Sequence, residues 1–162
     1  MLRLATYADV DDIVRIYNQA LKPGIFATSQ VAPDTSDERI AWLREHQDAY
    51  PAFVYEIEND KVIGWCSLSR SSVRPEYSGV AETSHYVDEG HQGKGIGNLM
   101  LAHLIETATK LGFRLLVSRV LERNLRSAKG AASLGFQRAV LLHEALRIRG
   151  EWHNDVWIWK KL

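Results

Sequence analysis

Between Val80 and Gly97 the chain runs Val80-Ala81-Glu82-Thr83-Ser84-His85-Tyr86-Val87, then Asp88 to His91, then Gln92-Gly93-Lys94-Gly95-Ile96-Gly97. The first eight residues read as a strand, the glycines as a tight turn, and Ile96, Met100, Leu104, Ala108 and Leu111 fall on one helical stripe. This strand, glycine turn and helix form the most informative stretch of the chain. Glycine permits positive φ and close approach of a ligand to the backbone. The free N–H groups of a helix start, with its positive dipole end, suit a phosphate or pyrophosphate, and Lys94 adds charge at the rim. Two familiar phosphate patterns do not match. The dinucleotide fingerprint wants glycine where Asn98 stands, and the P-loop wants Ser or Thr where Gly95 follows Lys94. Spacing alone leaves a plain glycine-rich turn as an equal reading.

Around this segment the pattern predicts a mixed order of strands and helices. Leu2 to Ala5 reads as a strand, and Asp9 as the N-cap of a helix carrying Val10, Ile13, Val14 and Tyr17. Lys22 to Pro33 reads as loop. Thr35 and Glu38 form a capping box before Ile40, Trp42 and Leu43. Phe53 to Ile57 and Val62 to Leu68 flank a hairpin turn at Glu58-Asn59-Asp60. After the long helix, Gly95 to Leu111, come a strand at Leu115 to Val120, a helix at Asn124 to Leu134, and two strands, Phe136 to Leu146 and Trp152 to Trp159, around Arg149-Gly150-Glu151. That order predicts an α/β fold with a largely antiparallel central sheet flanked by helices, in one domain over residues 1–162.

Charge narrows the partners. Twenty basic and twenty acidic residues give zero formal net charge, which argues against a general grip on nucleic acid or an anionic membrane. Cys66 is the only cysteine, so no disulfide within the chain and no cysteine zinc site is expected, and Cys66 reads as a buried strand residue. No histidine pair has ligand spacing on one helix, so no metal is expected. No apolar run of signal-peptide or membrane-helix length is present, and a cytoplasmic protein is the expectation. The five tryptophans read as core or interface residues.

Gln92-Gly93-Lys94-Gly95-Ile96-Gly97 resembles the acetyl-CoA loop of the GNAT N-acetyltransferase superfamily, Gln/Arg-x-x-Gly-x-Gly/Ala. Asn124, Ser127 and Leu134-Gly135-Phe136 match a second motif of that family. Leu4-Ala5, Asp9, Ile16-Tyr17-Asn18, Arg74-Pro75-x-Tyr77, Ala81-Glu82, Tyr86-Val87 and Gly150-Glu151-Trp152-His153-Asn154-Asp155-Val156 resemble the phosphinothricin and methionine sulfoximine N-acetyltransferase group. The resemblance implies a GNAT-like sheet, acetyl-CoA as co-substrate, a primary amine as acceptor, direct attack in a ternary complex, and a homodimer.

It also implies roles. Gln92 to Gly97 would hold the pyrophosphate. Ser84, His85, Tyr86 and Val87 would lie along the pantetheine arm, with a backbone N–H facing the thioester oxygen. Asn124 and Ser127 would contact the cofactor. Glu82 is the expected proton acceptor, sharing a strand face with Ser84 and Tyr86, while alternation sends the rival base His85 to the other face. Arg74 and Tyr77 would contact substrate beside Glu82; an exposed loop Arg with a core Tyr is an equal reading. His153 and Trp152 are weaker candidates for the pocket wall. The family's general acid, a tyrosine or histidine, is replaced by Ala131, so no general acid is assigned. Acetylation of another amine (a polyamine or a protein N-terminus) and acyl-CoA binding without turnover are the alternative readings.

Overall fold

The computed structural model describes residues 1–46 and 48–162. Seven strands form one sheet: β1 (Leu2–Leu4), β2 (Ala52–Ile57), β3 (Lys61–Arg70), β4 (Val80–Val87), β5 (Leu115–Leu121), β6 (Gln137–Ile148) and β7 (Glu151–Lys161). Their spatial order is β1-β2-β3-β4-β5-β7-β6. Every neighbouring pair is antiparallel except β4 and β5. A parallel pair needs a crossover, and α3 (Ile96–Lys110) supplies it. The other helices are α1 (Val10–Gln19), α2 (Ser36–Glu45) and α4 (Leu125–Ser133). None of the described helices is long and apolar enough to cross a membrane.

The sheet is covered on both faces. Met100, Leu104 and Ala108 of α3 are fully buried against Cys66, Leu68, Ala81 and Leu116, with Ala131 and Phe136 from the α4 region. Ile13, Ile16 and Tyr17 of α1 cover Val54, Val62 and Trp65 on the opposite face. Burial pushes the Cys66 thiol up, so it stays protonated and behaves as a small apolar residue.

Local signals explain most boundaries. The Thr35–Glu38 capping box closes reciprocally, with Glu38 N–H donating to Thr35 Oγ1 at 3.3 Å and Thr35 N–H to Glu38 Oε2 at 2.9 Å. α3 ends in a Schellman arrangement, Phe113 N–H to the Ala108 carbonyl and Gly112 N–H to that of Thr109. α4 ends the same way at Gly135 and Phe136. Three expectations shift. Leu111 lies past the end of α3 and is exposed, outside the buried stripe. Asp9 does stand before α1, but its carboxylate caps nothing there. It accepts from Thr6 and forms a two-pronged pair with Arg3, both contacts at 2.8 Å, because a guanidinium fork is the stronger partner. The turn expected at Glu58 to Asp60 is a single 3-10 turn.

Gly64 of β3 faces Val87 of β4, and a Cβ there would sit 3.1 Å from the Tyr86 carbonyl oxygen and 3.2 Å from the Met100 side chain. One neighbour is backbone and the other a buried core side chain. Gly64→Ala is therefore expected to lower stability by about 1–3 kcal/mol, the usual range for overpacking, as read from urea denaturation midpoints.

Candidate active site

The site begins where the sheet fails to close. β4 and β5 pair only at Val80↔Leu115, Ala81↔Leu116 and Glu82↔Val117. Ser118 Oγ donates to the Thr83 carbonyl at 3.3 Å, and beyond that point the strands part. Between Thr83–Val87 and Ser118–Val120 lies a cleft of about 410 Å³. Asp88 N–H bonds the Ile63 carbonyl at 2.9 Å, which sets the phase of the β3–β4 ladder. Alternation then turns Tyr86 and Ser84 N–H groups towards β3 and those of His85 and Val87 towards the cleft. A strand edge in mid-sheet thus keeps donors and acceptors that no strand satisfies. An extended amide-bearing arm fits that edge.

At the wide end the cleft meets the glycine turn. Gly93 and Gly95 have φ of +79° and +82°, a region that residues with a Cβ rarely adopt, and a Cβ built at either would meet no atom within 4 Å. Gly95 is the N-cap of α3 and offers no side chain, so the first N–H groups of the helix stay open towards the cleft, which Gly93, Gly95, Ile96 and Gly97 line. Gln92 braces the turn, its Nε2 donating to the Val87 carbonyl at 3.1 Å and its Oε1 accepting from Arg126 at 3.1 Å. Lys94 folds back onto the Gly90 carbonyl at 3.4 Å and is not part of the cleft lining.

Asp88 holds the turn to α1. It accepts from Arg15 at 2.5 Å, Gln19 at 3.1 Å and Gly90 N–H at 3.1 Å, and His91 Nδ1 lies 3.0 Å away. Burial pushes its carboxyl up, but the bonds from His91, Gln19, Arg15 and Gly90 outweigh that and hold it well below the usual carboxylate range.

Glu82 sits one pleat from Ser84 on the face shared with Tyr86, and it lines neither the cleft nor the cavity described next. Its Oε1 is 4.0 Å from Arg119 Nε, and Arg119 lies over the Trp157 ring, whose indole N–H donates to Asp155 at 2.7 Å. Burial raises the Glu82 carboxyl, Arg119 lowers it and Asp155 raises it, for a net upward shift. His85 faces α3, its ring 3.5 Å from where a Cβ of Gly97 would stand, and burial holds it down to about 4. The alternation expected of β4 is present.

Asn124 caps α4, accepting from Ser127 N–H at 3.2 Å, and both residues line the cleft. Ala131 is buried in the core. Arg74 and Tyr77 are exposed, in and beside the turn Pro75–Tyr77, and line none of the cavities described. His153 is buried beside Phe26 at a separate cavity of about 200 Å³, while Trp152 is exposed. Sequence reasoning missed Ser118, Arg119 and Arg126. Their signals were slight: Arg119 shares a face of β5 with Val117, and Arg126 occupies the first turn after the Asn124 cap. Ile25 and Ala27, also in the lining, lie in an irregular loop that carries no periodicity.

A second cavity of about 260 Å³ opens on the face covered by α1 and α2, and it shares Ser84 and Tyr86 with the cleft. The Tyr86 ring turns to this side, stacked on Trp65 at 4.8 Å and edge-on to Tyr17 at 4.9 Å.

A parted parallel strand pair leading to a glycine-capped helix offers an extended arm and an anionic group a place to lie, and residues 2–157 match the acetyltransferase (GNAT) domain. The chain belongs to the GNAT family and is an acetyl-CoA-dependent N-acetyltransferase. It is 35% identical to the L-methionine sulfoximine/L-methionine sulfone acetyltransferase of Salmonella typhimurium, over 83% of this chain and 78% of that protein. A phosphinothricin acetyltransferase from Sinorhizobium meliloti, crystallised with acetyl-CoA, superposes with a TM-score of 0.93 at 28% identity, covering 100% of this chain and 88% of that one. A ribosomal-protein-alanine N-acetyltransferase from Brucella melitensis superposes with 0.94 at 28% identity, covering 100% and 99%.

Asp88→Asn removes the charge from the centre of the loop anchor. Acetyl-CoA affinity is expected to fall roughly tenfold, the equivalent of one charge-assisted hydrogen bond, measured by isothermal titration calorimetry. The stability that the Asp88 carboxylate contributes is present above the ordinary carboxylate range and is lost on acidification below it.

Proposed function

We propose that the chain transfers acetyl from acetyl-CoA to the primary amine of a small amino-acid-like acceptor, of the phosphinothricin or methionine sulfoximine type, by direct attack in a ternary complex. The observation that carries this reading is the meeting of two cavities at Ser84 and Tyr86. The cleft reaches them from the glycine turn, the smaller cavity from the α1 and α2 side. Acetyl donor and amine then meet without sharing a path. The names of the Salmonella and Sinorhizobium relatives support the acceptor class.

In this reading the N–H groups from Gly93 to Gly97 hold the pyrophosphate, with Arg126 adding charge beside Gln92, and Asn124 and Ser127 border the arm. The thioester supplies an acetyl carbon open to attack. An N–H of His85 or Val87 donates to the carbonyl oxygen as negative charge develops there. Glu82 accepts the ammonium proton, through a water because its side chain lines neither cavity; a carboxyl raised above the ordinary range is the better base for that task. His85, held near 4, is a weak base turned to the other face. The amine nitrogen bonds the acetyl carbon, the carbon–sulfur bond breaks, and a thiolate of pKa ~8.5 leaves without a donor, consistent with the buried alanine at position 131.

Acetylation of a protein N-terminus has the support of the Brucella neighbour's name. The 260 Å³ cavity, below the ~300–1,000 Å³ of common ligand pockets, favours a small acceptor instead. Arg74 and Tyr77 keep their proposed substrate role only if the acceptor, or a second copy of the chain, reaches their exposed turn. Val140, Leu142, Trp152 and Trp157, exposed on the β6–β7 hairpin, support the homodimer.

Thiol release from acetyl-CoA with phosphinothricin, methionine sulfoximine and a panel of other amines tests the reading. Release with the first two is expected, and release only with a peptide N-terminus or a polyamine would overturn the acceptor class. Glu82→Gln should lower kcat by about 10²–10⁴-fold, the usual worth of general base catalysis, with acetyl-CoA affinity unchanged. Activity should fall as pH drops through a limb above the ordinary glutamate range, since protonated Glu82 accepts nothing. Arg119→Gln should move that limb to higher pH and Asp155→Asn to lower pH, as pH–rate profiles of kcat/KM will show.

A further inference from the structure

The base proposed above has a neighbour that the mechanism does not yet use. Ser69 of β3 lies directly across from Glu82, as Ser67 does from Ser84. Side chains opposite each other in an antiparallel pair share a face, with Cβ atoms about 5 Å apart. The second cavity is lined by Ser67 and Ser84 but by neither Ser69 nor Glu82. Ser69 and Glu82 are the next pair on that face, one pleat or about 7 Å further on. An amine at the Ser84 end of the cavity therefore reaches Glu82 through a water that passes Ser69. On its other side Glu82 meets Arg119 and Asp155.

His46 decides what this serine can offer. Its ring is buried at the C-cap of α2 and stacked on Trp42, with ring centres 3.9 Å apart. Nδ1 lies 2.8 Å from the Trp42 carbonyl oxygen and Nε2 lies 2.9 Å from Ser69 Oγ. A carbonyl only accepts, so Nδ1 carries the hydrogen, and in the neutral ring Nε2 is left as an acceptor. Burial holds His46 below its ordinary value; of the charged groups that face it, Arg39 pulls the same way and Glu45 opposes. Ser69 must then donate its single hydrogen to His46. What its oxygen has left to offer Glu82's side is lone pairs.

A water that carries a proton from the amine to Glu82 has two hydrogens to place. One goes to the carboxylate; the other needs an acceptor, or the water turns its oxygen away from the amine. We propose that Ser69, its hydroxyl held by His46, is a positioning residue that accepts this second hydrogen and so aims the water's lone pair at the ammonium. The proposal rests on the reading of Glu82 as base and adds two residues to it. In the step itself an ammonium N–H bond breaks and its proton joins the water oxygen, while the water's O–H bond towards Glu82 breaks. The water is restored, the amine is neutral and Glu82 carries the proton. A serine free to turn would instead donate to the Glu82 carboxylate, favouring its charged form and weakening the base.

The test joins turnover to its pH profile. Ser69→Ala should lower kcat about tenfold, the equivalent of one hydrogen bond, with the KM for acetyl-CoA unchanged. Ser69→Thr keeps the hydroxyl and should restore kcat. His46→Phe keeps a ring on Trp42 but releases the Ser69 hydroxyl, so the acid limb of kcat/KM that belongs to Glu82 should move to lower pH. Joining His46→Phe to Ser69→Ala should return the limb to its wild-type position, because no hydroxyl is left to donate. The same reversal should appear when the Glu82 carboxyl is titrated by carbon-13 NMR, which needs no acceptor amine. A purely structural role for either residue would lower the melting temperature without that reversal. Should His46→Phe fail to fold, the loss in Ser69→Ala and its rescue in Ser69→Thr decide the matter. Wild-type kcat in Ser69→Ala while Glu82→Gln is slow overturns the proposal alone, as does a limb that a folded His46→Phe leaves in place. Wild-type kcat in Glu82→Gln overturns the reading beneath it.

Discussion

The parting of β4 from β5 is the constraint on which the rest of the molecule depends. Three paired residues hold the strands together at one end, and β5 is then carried off by β7, which pairs with it along its whole length. β4 stays with β3 as far as Val87. The sheet therefore opens in its middle, with α3 on one face and α1 on the other. At an outer edge the same N–H and C=O groups would meet water or another chain. Inside the wedge they are available to a ligand that can lie extended beside them.

The crossover makes the wedge useful. A parallel pair obliges the chain to cross by a helix, and α3, fifteen residues and about 22 Å long, starts directly at the mouth of the cleft. Its open N–H groups and the free edge of β4 converge because one short turn joins them. That turn is held from outside by α1, through Asp88, Arg15 and Gln19, so the helix that covers one face of the sheet also fixes the geometry at the mouth of the cleft. Zero net charge hides strong local order. Glu82 with Arg119 and Asp155, Asp34 with Arg39, and Asp88 with Arg15 each place charge where burial gives it leverage on a proton or a donor.

Legibility in the sequence followed the range of the interaction. The strand, turn and helix from Val80 to Lys110 were readable because period-two and helical spacing, together with two glycines at positive φ, are local properties. The Thr35–Glu38 box and the face shared by Glu82, Ser84 and Tyr86 were readable for the same reason. Asp9 stands at the N-cap position that the sequence predicts, but its carboxylate goes to Arg3 and Thr6, outside the helix. Lys94 looked like a phosphate ligand from its place in the motif, yet its ammonium turned to a carbonyl four residues back. Arg74 and Tyr77 enter only through the resemblance, and both are exposed and line none of the described cavities.

The sequence by itself determined the elements, the glycine turn, the capping and the alternation that separates Glu82 from His85, all of which depend on residues within a few positions of one another. The tertiary structure alone decided that β7 inserts between β5 and β6, that β4 and β5 pair for three residues and no more, and that Arg39 of α2 lines one cavity with Trp65 and Ser67 of β3. Periodicity marks which face of an element is buried, but the partner that covers that face lies far along the chain and leaves no trace in the local pattern.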